Sequence, residues 1–92
     1  MEVHWDPHKA QRNLKKHRVS FADAATVLDD PLALTVEDKR NDEPRWVTIG
    51  QDLRGRLLVV VYSYPENLVD SVNLISAREA EPRERRQYEN DD

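Results

Sequence analysis

The 92-residue chain contains no cysteine. That removes disulfides, thiolate metal sites and a cysteine nucleophile, and it fits a reducing cytoplasm. Glycine is nearly absent too: Gly50 and Gly55 are the only two, so no glycine-rich phosphate loop can be built. No apolar run approaches the ~20 residues of a membrane span. The first residues, Met1 to Trp5, lack the basic-then-apolar pattern of an export signal. A cytoplasmic location with no membrane contact is therefore expected. No serine sits in a nucleophile-elbow setting, and His4, His8 and His17 lack the helical pairing with an acid that zinc proteases use. The acid pairs Asp29-Asp30 and Glu37-Asp38 are sequence neighbours, whereas a metal site needs oxygen ligands converging from separate segments. Helix capping and solvation explain them more simply, and no metal or cofactor is expected.

What is present is a compact alternation of charge and apolar stripes. Hydrophobic residues make up 38% and charged residues 35%, so the apolar set must be concentrated on a few faces. The length suits one domain, 1–92, with a modest core. The net charge of −4 argues at first against a nucleic-acid partner, but its distribution is bipolar. From Pro7 to Val19 there is no acid, and Lys9, Arg12, Lys15, Lys16 and Arg18 stand with His8 and His17. Acids gather at Asp29-Asp30, Glu37-Asp38, Asp42-Glu43 and in the tail from Glu89 to Asp92.

Local signals predict the element order. Val3 to Trp5 reads as a short strand. Asp6 as N-cap and Pro7 at the first helical position open a helix to His17, with Ala10, Leu14 and His17 on one face. Ser20 caps a second helix with the stripe Phe21, Ala24, Ala25 and Leu28, stopped by Asp29-Asp30-Pro31. Strands follow at Leu32–Val36, Arg45–Gly50, Arg56–Tyr64 and Ser71–Ala77, and Pro82 starts a last helix to about Tyr88 or Glu89. Val59-Val60-Val61 has no polar alternation, which predicts a central strand covered on both faces. The expected fold is α+β: two N-terminal helices packed on one face of a twisted antiparallel meander, with a short C-terminal helix. Trp5, Leu14, Phe21, Leu28, Val60 and Ile75 are expected in the core.

The remaining chemistry is basic and aromatic. Lys16, His17, Arg45, Arg78, Arg83, Arg85 and Arg86, with Trp46 and Tyr88, are the residue types that bind and cleave RNA without metal. In that reaction the ribose 2′-OH attacks its own phosphate. It needs a base for the hydroxyl proton, an acid for the leaving 5′-oxygen and cations for the developing charge. Arginine suits the phosphate because its planar fork stays charged and holds two oxygens. Each residue also has a plainer reading. Arg78 can pair with Glu79, Glu81 or Glu84, His17 can cap the terminal carbonyls of its helix, and Trp46 can pack in the core.

Taken together, Trp5-Asp6-Pro7 with Lys9, Asn13, Lys16-His17, Val19-Ser20-Phe21 with Ala24, Asp30-Pro31, Arg45-Trp46, Ile49-Gly50, Ile75-Ser76-Ala77-Arg78 and Glu84-Arg85 with Tyr88 resemble the BrnT family of type II toxins. The resemblance covers nearly the whole chain. It implies a RelE-like fold and a metal-independent endoribonuclease, neutralised by a BrnA-type antitoxin whose ribbon-helix-helix-like part binds DNA. DNA would thus be met only through the antitoxin. Four positions depart from the family's usual pattern: Asn73 for arginine, Glu79 for lysine or another non-acid, Glu81 for a threonine or serine cap, and Arg18 for glycine. On this reading Arg78 and Arg45 stabilise the phosphate, and Lys16 and His17 transfer protons. Arg83, Arg85, Arg86, Lys15 and Arg12 bind the RNA backbone. The alternative is a non-catalytic module that binds an antitoxin-like partner and modulates its DNA binding. A DNA-binding protein in its own right has only the basic first helix in its favour.

Overall fold

The first two helices begin where their caps require. In the computed structural model, which describes residues 1–40 and 42–90, the Asp6 carboxylate accepts a hydrogen bond from the His8 N–H at 2.9 Å. It opens α1, Pro7–His17. Asn41 and the tail acids Asp91 and Asp92 lie outside the described residues. Helix α1 ends at Arg18, whose left-handed φ of 61° returns its N–H to the Leu14 carbonyl. Ser20 Oγ then accepts from the Asp23 N–H at 3.0 Å, satisfying an otherwise unpaired donor at the start of α2, Phe21–Thr26. The chain tightens into a 3₁₀ turn, Val27–Asp29, so the second helix is shorter than its apolar stripe predicts.

The strands are β1 (Glu2–His4), β2 (Leu34–Asp38), β3 (Arg45–Gln51), β4 (Leu57–Ser63) and β5 (Ser71–Glu79), followed by α3 (Pro82–Glu89). They form one sheet in the order β1-β5-β4-β3-β2. β4 is central, with Val59 3% and Val60 0% exposed, as its unbroken apolar run requires. Strands β2 to β5 pair antiparallel, but β1 lies parallel to β5, with Val3 opposite Val72. The expected all-antiparallel sheet is therefore corrected to a mixed one. β1 and its partner β5 are separated by two helices and three strands, and a separation of that length permits the parallel arrangement that a hairpin forbids. The first strand also ends a residue earlier than expected, leaving Trp5 outside it, and β2 starts two residues later.

Phe21, Val60, Leu58, Tyr62, Leu74, Val72, Val19, Val27, Ala24 and Ala77 make the core. Helix α1 and α2 lie over β5, and the Val27–Asp29 turn lies over β3. Two expected core members are displaced. Leu14 is 49% exposed, because the inward position on α1 goes to Asn13, which is buried and makes three hydrogen bonds. Trp5 is 37% exposed and meets Phe21 edge to face at 6.0 Å. Leu28 and Ile75 are half-buried. Ile75 is the extra residue of a bulge: Val61 pairs Ser76 while Tyr62 pairs Leu74, so Leu74 and Ala77 both turn to the helices.

The helices do not all share a face. A Cβ on Gly50 would meet Val27 Cγ1 at 3.0 Å, so Gly50 faces the helical layer and its neighbour Ile49 faces away. Ile49 borders a hollow with Leu34, Val36, Val47, Gln87 and Asn90. Helix α3 therefore lies on the opposite face from α1, partly covering it. Tyr88 and Asp30 tie α3 to the end of the sheet: Asp30 Oδ2 accepts from the Tyr88 hydroxyl at 2.6 Å and from the Gln51 N–H at 2.8 Å.

Candidate nucleic-acid interface

The acid-free first helix sets the interface. Lys9, Arg12, Asn13 and Lys16 recur at three- and four-residue spacing, so they lie on one stripe of α1. Together with His17 they border a groove of about 340 Å³ whose other wall is Ile75 and Ser76 of β5. The bulge at Ile75 opens the strand edge there, and α1 places its cations beside it.

Asn13 fixes that placement. β1 pairs only Ser71 to Asn73, so beyond Asn73 the edge of β5 has no neighbouring strand. The Asn13 side chain takes that role. Its Oδ1 accepts from the Ala77 N–H at 3.0 Å, and its Nδ2 donates to the Ala77 carbonyl at 2.8 Å and the Val19 carbonyl at 3.0 Å. One buried amide thus satisfies three backbone groups that water cannot reach.

Arg78 follows Ala77 and, by strand alternation, projects from the opposite face, the same face as Ser76. Glu84 of α3 meets it in a two-pronged ion pair, Nη1 to Oε1 and Nη2 to Oε2, both at 2.8 Å. Nη1 also donates to the Glu79 carbonyl at 3.2 Å. Of the three acids the sequence offers Arg78, geometry selects Glu84. The hydrogen bond to Arg78 holds the Glu84 carboxyl below its usual range, helped by the Glu81 N–H and the charge of Arg83 against the opposing effect of burial. The same bond raises Arg78. The pair uses the Nη1–Nη2 end of the guanidinium. Among the described residues the Nε–H and the second Nη2–H have no protein partner, and the side chain is 38% exposed. A second pair of parallel donors therefore remains for an anion.

The other expected residues are dispersed. Arg45, at the start of β3, shares a face with Arg78 but lies opposite Asp38. Register places it two strands away from Arg78 and four residues along, about 16 Å by strand geometry. Its Nε is buried without a partner among the described residues. Lys15 points to a separate hollow with Gln11, Leu14 and Arg18. Arg83, Arg85 and Arg86 are exposed on α3, on the far face from the groove, and Arg85 lies 3.8 Å from Glu89. The structure thus gathers Arg12, Lys16 and His17 at the groove, places Arg78 outside the groove's lining on the α3 side of β5, and leaves Arg45 and the α3 arginines apart. Lys9 and Ser76 were not singled out as site residues. Lys9 was legible as one helical turn before Arg12 and Asn13; Ser76 was not, because the bulge that brings it to the groove has no sequence signature. Among the described residues no three His, Asp or Glu side chains converge as metal ligands, and no helix is long and apolar enough to cross a membrane.

Residues 5–84 match the family model described as the ribonuclease toxin, BrnT, of a type II toxin–antitoxin system. Among solved structures, the 1.1 Å crystal structure of the Brucella abortus ribonuclease toxin BrnT is similar, with a TM-score of 0.69 and 26% identity. The match covers 88% of this chain and 97% of that one. No match emerges among curated proteins.

Proposed function

The chain belongs to the BrnT family of ribonuclease toxins of type II toxin–antitoxin systems, and on that premise we propose that it cleaves RNA without a metal ion, by attack of a ribose 2′-OH on the adjacent phosphate. The observation that carries this reading is the groove between α1 and the bulged edge of β5, with Arg78 on the strand that forms its wall. Lys9 and Arg12 neutralise the RNA backbone. Lys16 and His17 sit at the groove's end as the proton-transfer pair, one taking the 2′-hydroxyl proton and the other returning a proton to the leaving 5′-oxygen. Arg78 supplies the fixed charge for the phosphorane. Glu84 does not neutralise that role, since it grips the outer end of the guanidinium and leaves the Nε edge presented to solvent, held in one orientation before substrate arrives. Arg45 and the α3 arginines would meet other phosphates than the one being cleaved. The fold is read as RelE-like, and a BrnA-type antitoxin, through which alone the toxin meets operator DNA, is read as the partner.

The test is cleavage of a single-stranded RNA by the isolated chain. Arg78→Ala should lower the rate about 10²–10³-fold, the scale of one lost electrostatic donor, with folding preserved. Arg78→Lys should recover part of it, since an ammonium cannot make the two-pronged contact. EDTA should have no effect. Cleavage abolished by EDTA, or a folded Arg78→Ala with full activity, would overturn the mechanism. In the second case the ion pair with Glu84 is the whole role of Arg78, and the non-catalytic module that binds an antitoxin and modulates its DNA binding becomes the better reading.

A further inference from the structure

A second cleft, sharing no residue with the basic groove, opens where the β2–β3 and β4–β5 connections meet. It has a volume of about 680 Å³ and is lined by Trp46, Tyr64, Pro44 and Pro65, with Asp42, Glu43 and Glu66. We propose that this cleft receives an arginine side chain of the antitoxin.

The walls are aromatic and rigid. Trp46 and Tyr64 meet edge to face at 5.8 Å, and Tyr64 is braced in the same way by Tyr62 at 5.9 Å. Tyr62 is itself locked by a 2.8 Å hydrogen bond between its hydroxyl and Thr48 Oγ1. Pro44 and Pro65 each restrict their own φ at the cleft's wall. Tyr64 is 53% exposed. Trp46 beside it is partly buried against the core, so the cleft has one exposed and one anchored aromatic wall.

The rim chooses the occupant. Among the described residues, Asp42, Glu43 and Glu66 take part in no ion pair. Three unneutralised carboxylates repel nucleic acid and attract cations. A cation against aromatic faces gains further from the ring quadrupole. A planar guanidinium satisfies both walls and rim, since it stacks on the rings while its N–H groups reach the carboxylates; an ammonium does only the second. The three rim carboxylates favour a cationic side chain carried on a protein segment. The family supplies one, the antitoxin.

The experiment uses the full chain with Trp5→Phe, leaving Trp46 as its sole tryptophan. N-acetyl-arginine amide should change Trp46 fluorescence saturably at roughly millimolar concentration. The neutral isostere N-acetyl-citrulline amide should not, and the response should fall in Glu43→Gln/Glu66→Gln. In a second arm, Glu43→Gln/Glu66→Gln should weaken binding of the cognate antitoxin about tenfold while RNA cleavage by the free toxin is unchanged. Equal response to both amides, or to neither, removes the arginine site. Unchanged antitoxin affinity removes the antitoxin as its source. Neither outcome touches the catalytic reading, which stands or falls on cleavage alone.

Discussion

Replacing Asn13 with alanine tests how α1 is held on the sheet. The substitution deletes three hydrogen bonds, those to the Ala77 N–H, the Ala77 carbonyl and the Val19 carbonyl. Ala77 and Val19 are both fully buried, so no water replaces the lost partners without rearrangement. Each net hydrogen bond is worth about 0.5–1.5 kcal/mol, and a buried group left unsatisfied costs about 1–3 kcal/mol. Local opening of the strand edge relieves part of that cost. The expected loss is roughly 3–5 kcal/mol, a large share of the roughly 5–15 kcal/mol that a domain of this kind has in total. Asn13→Asp keeps the shape but turns a donor into an acceptor facing two carbonyls, and should be at least as damaging at neutral pH. The assay is urea unfolding followed by far-ultraviolet circular dichroism, with the midpoint compared at constant slope. A loss under about 1 kcal/mol for Asn13→Ala would refute the reasoning, because it would mean that the edge of β5 is satisfied without the amide.

Arg18→Gly should stabilise the protein by roughly 0.5–1 kcal/mol, since Arg18 is held at a φ of 61° that costs a side-chain-bearing residue more than glycine; an unchanged urea midpoint would mean that the strain is absorbed elsewhere. Glu84, whose carboxyl is depressed from an ordinary value of 4.5, should stabilise the fold fully above that pH, and the contribution should vanish as pH falls through the depressed value. The partly exposed pair is worth about 1 kcal/mol at neutral pH, so Glu84→Gln should lose about that much at pH 7 and nearly nothing near pH 2, as read by urea unfolding at the two pH values. Charge reversal at Lys15 and Lys16 should slow association with the antitoxin at low salt, and stopped-flow rates equal at low and high salt would show that this face is not steered electrostatically.

The helices were legible because their starts are chemical. Asp6-Pro7, Ser20 and Pro82 each satisfy or remove an orphan donor at a fixed position, and such signals are local. The pairing of β1 was not legible, since three residues carry no information about which strand they join or in which direction. The bulge at Ile75 was invisible for the same reason, and it moved a presumed core residue to the rim of the site. Leu14 fits the apolar spacing of α1, but the buried position goes to its neighbour Asn13, whose amide satisfies three backbone groups at once. The basic stripe on α1 was readable from composition. The separation of Arg45 from Arg78 was not, because strand register decides it. Several motif residues turn out to support the scaffold: Asp30, Gly50 and Tyr88 meet in one knot, where Asp30 Oδ2 would come within 3.1 Å of any Cβ added at Gly50.

The contact between Asn13 and Ala77 spans 64 positions, and Val3 must find Val72 in the same step. The first helix is made early, but nothing made with it can seat it. Until Ala77 has left the ribosome there is no strand for Asn13 to close and no second wall for the groove. Long-range pairing of this kind is also the slow part of folding. A nascent chain therefore carries its basic helix before the strand that walls the groove exists, and the groove can assemble only once residue 77 has been made.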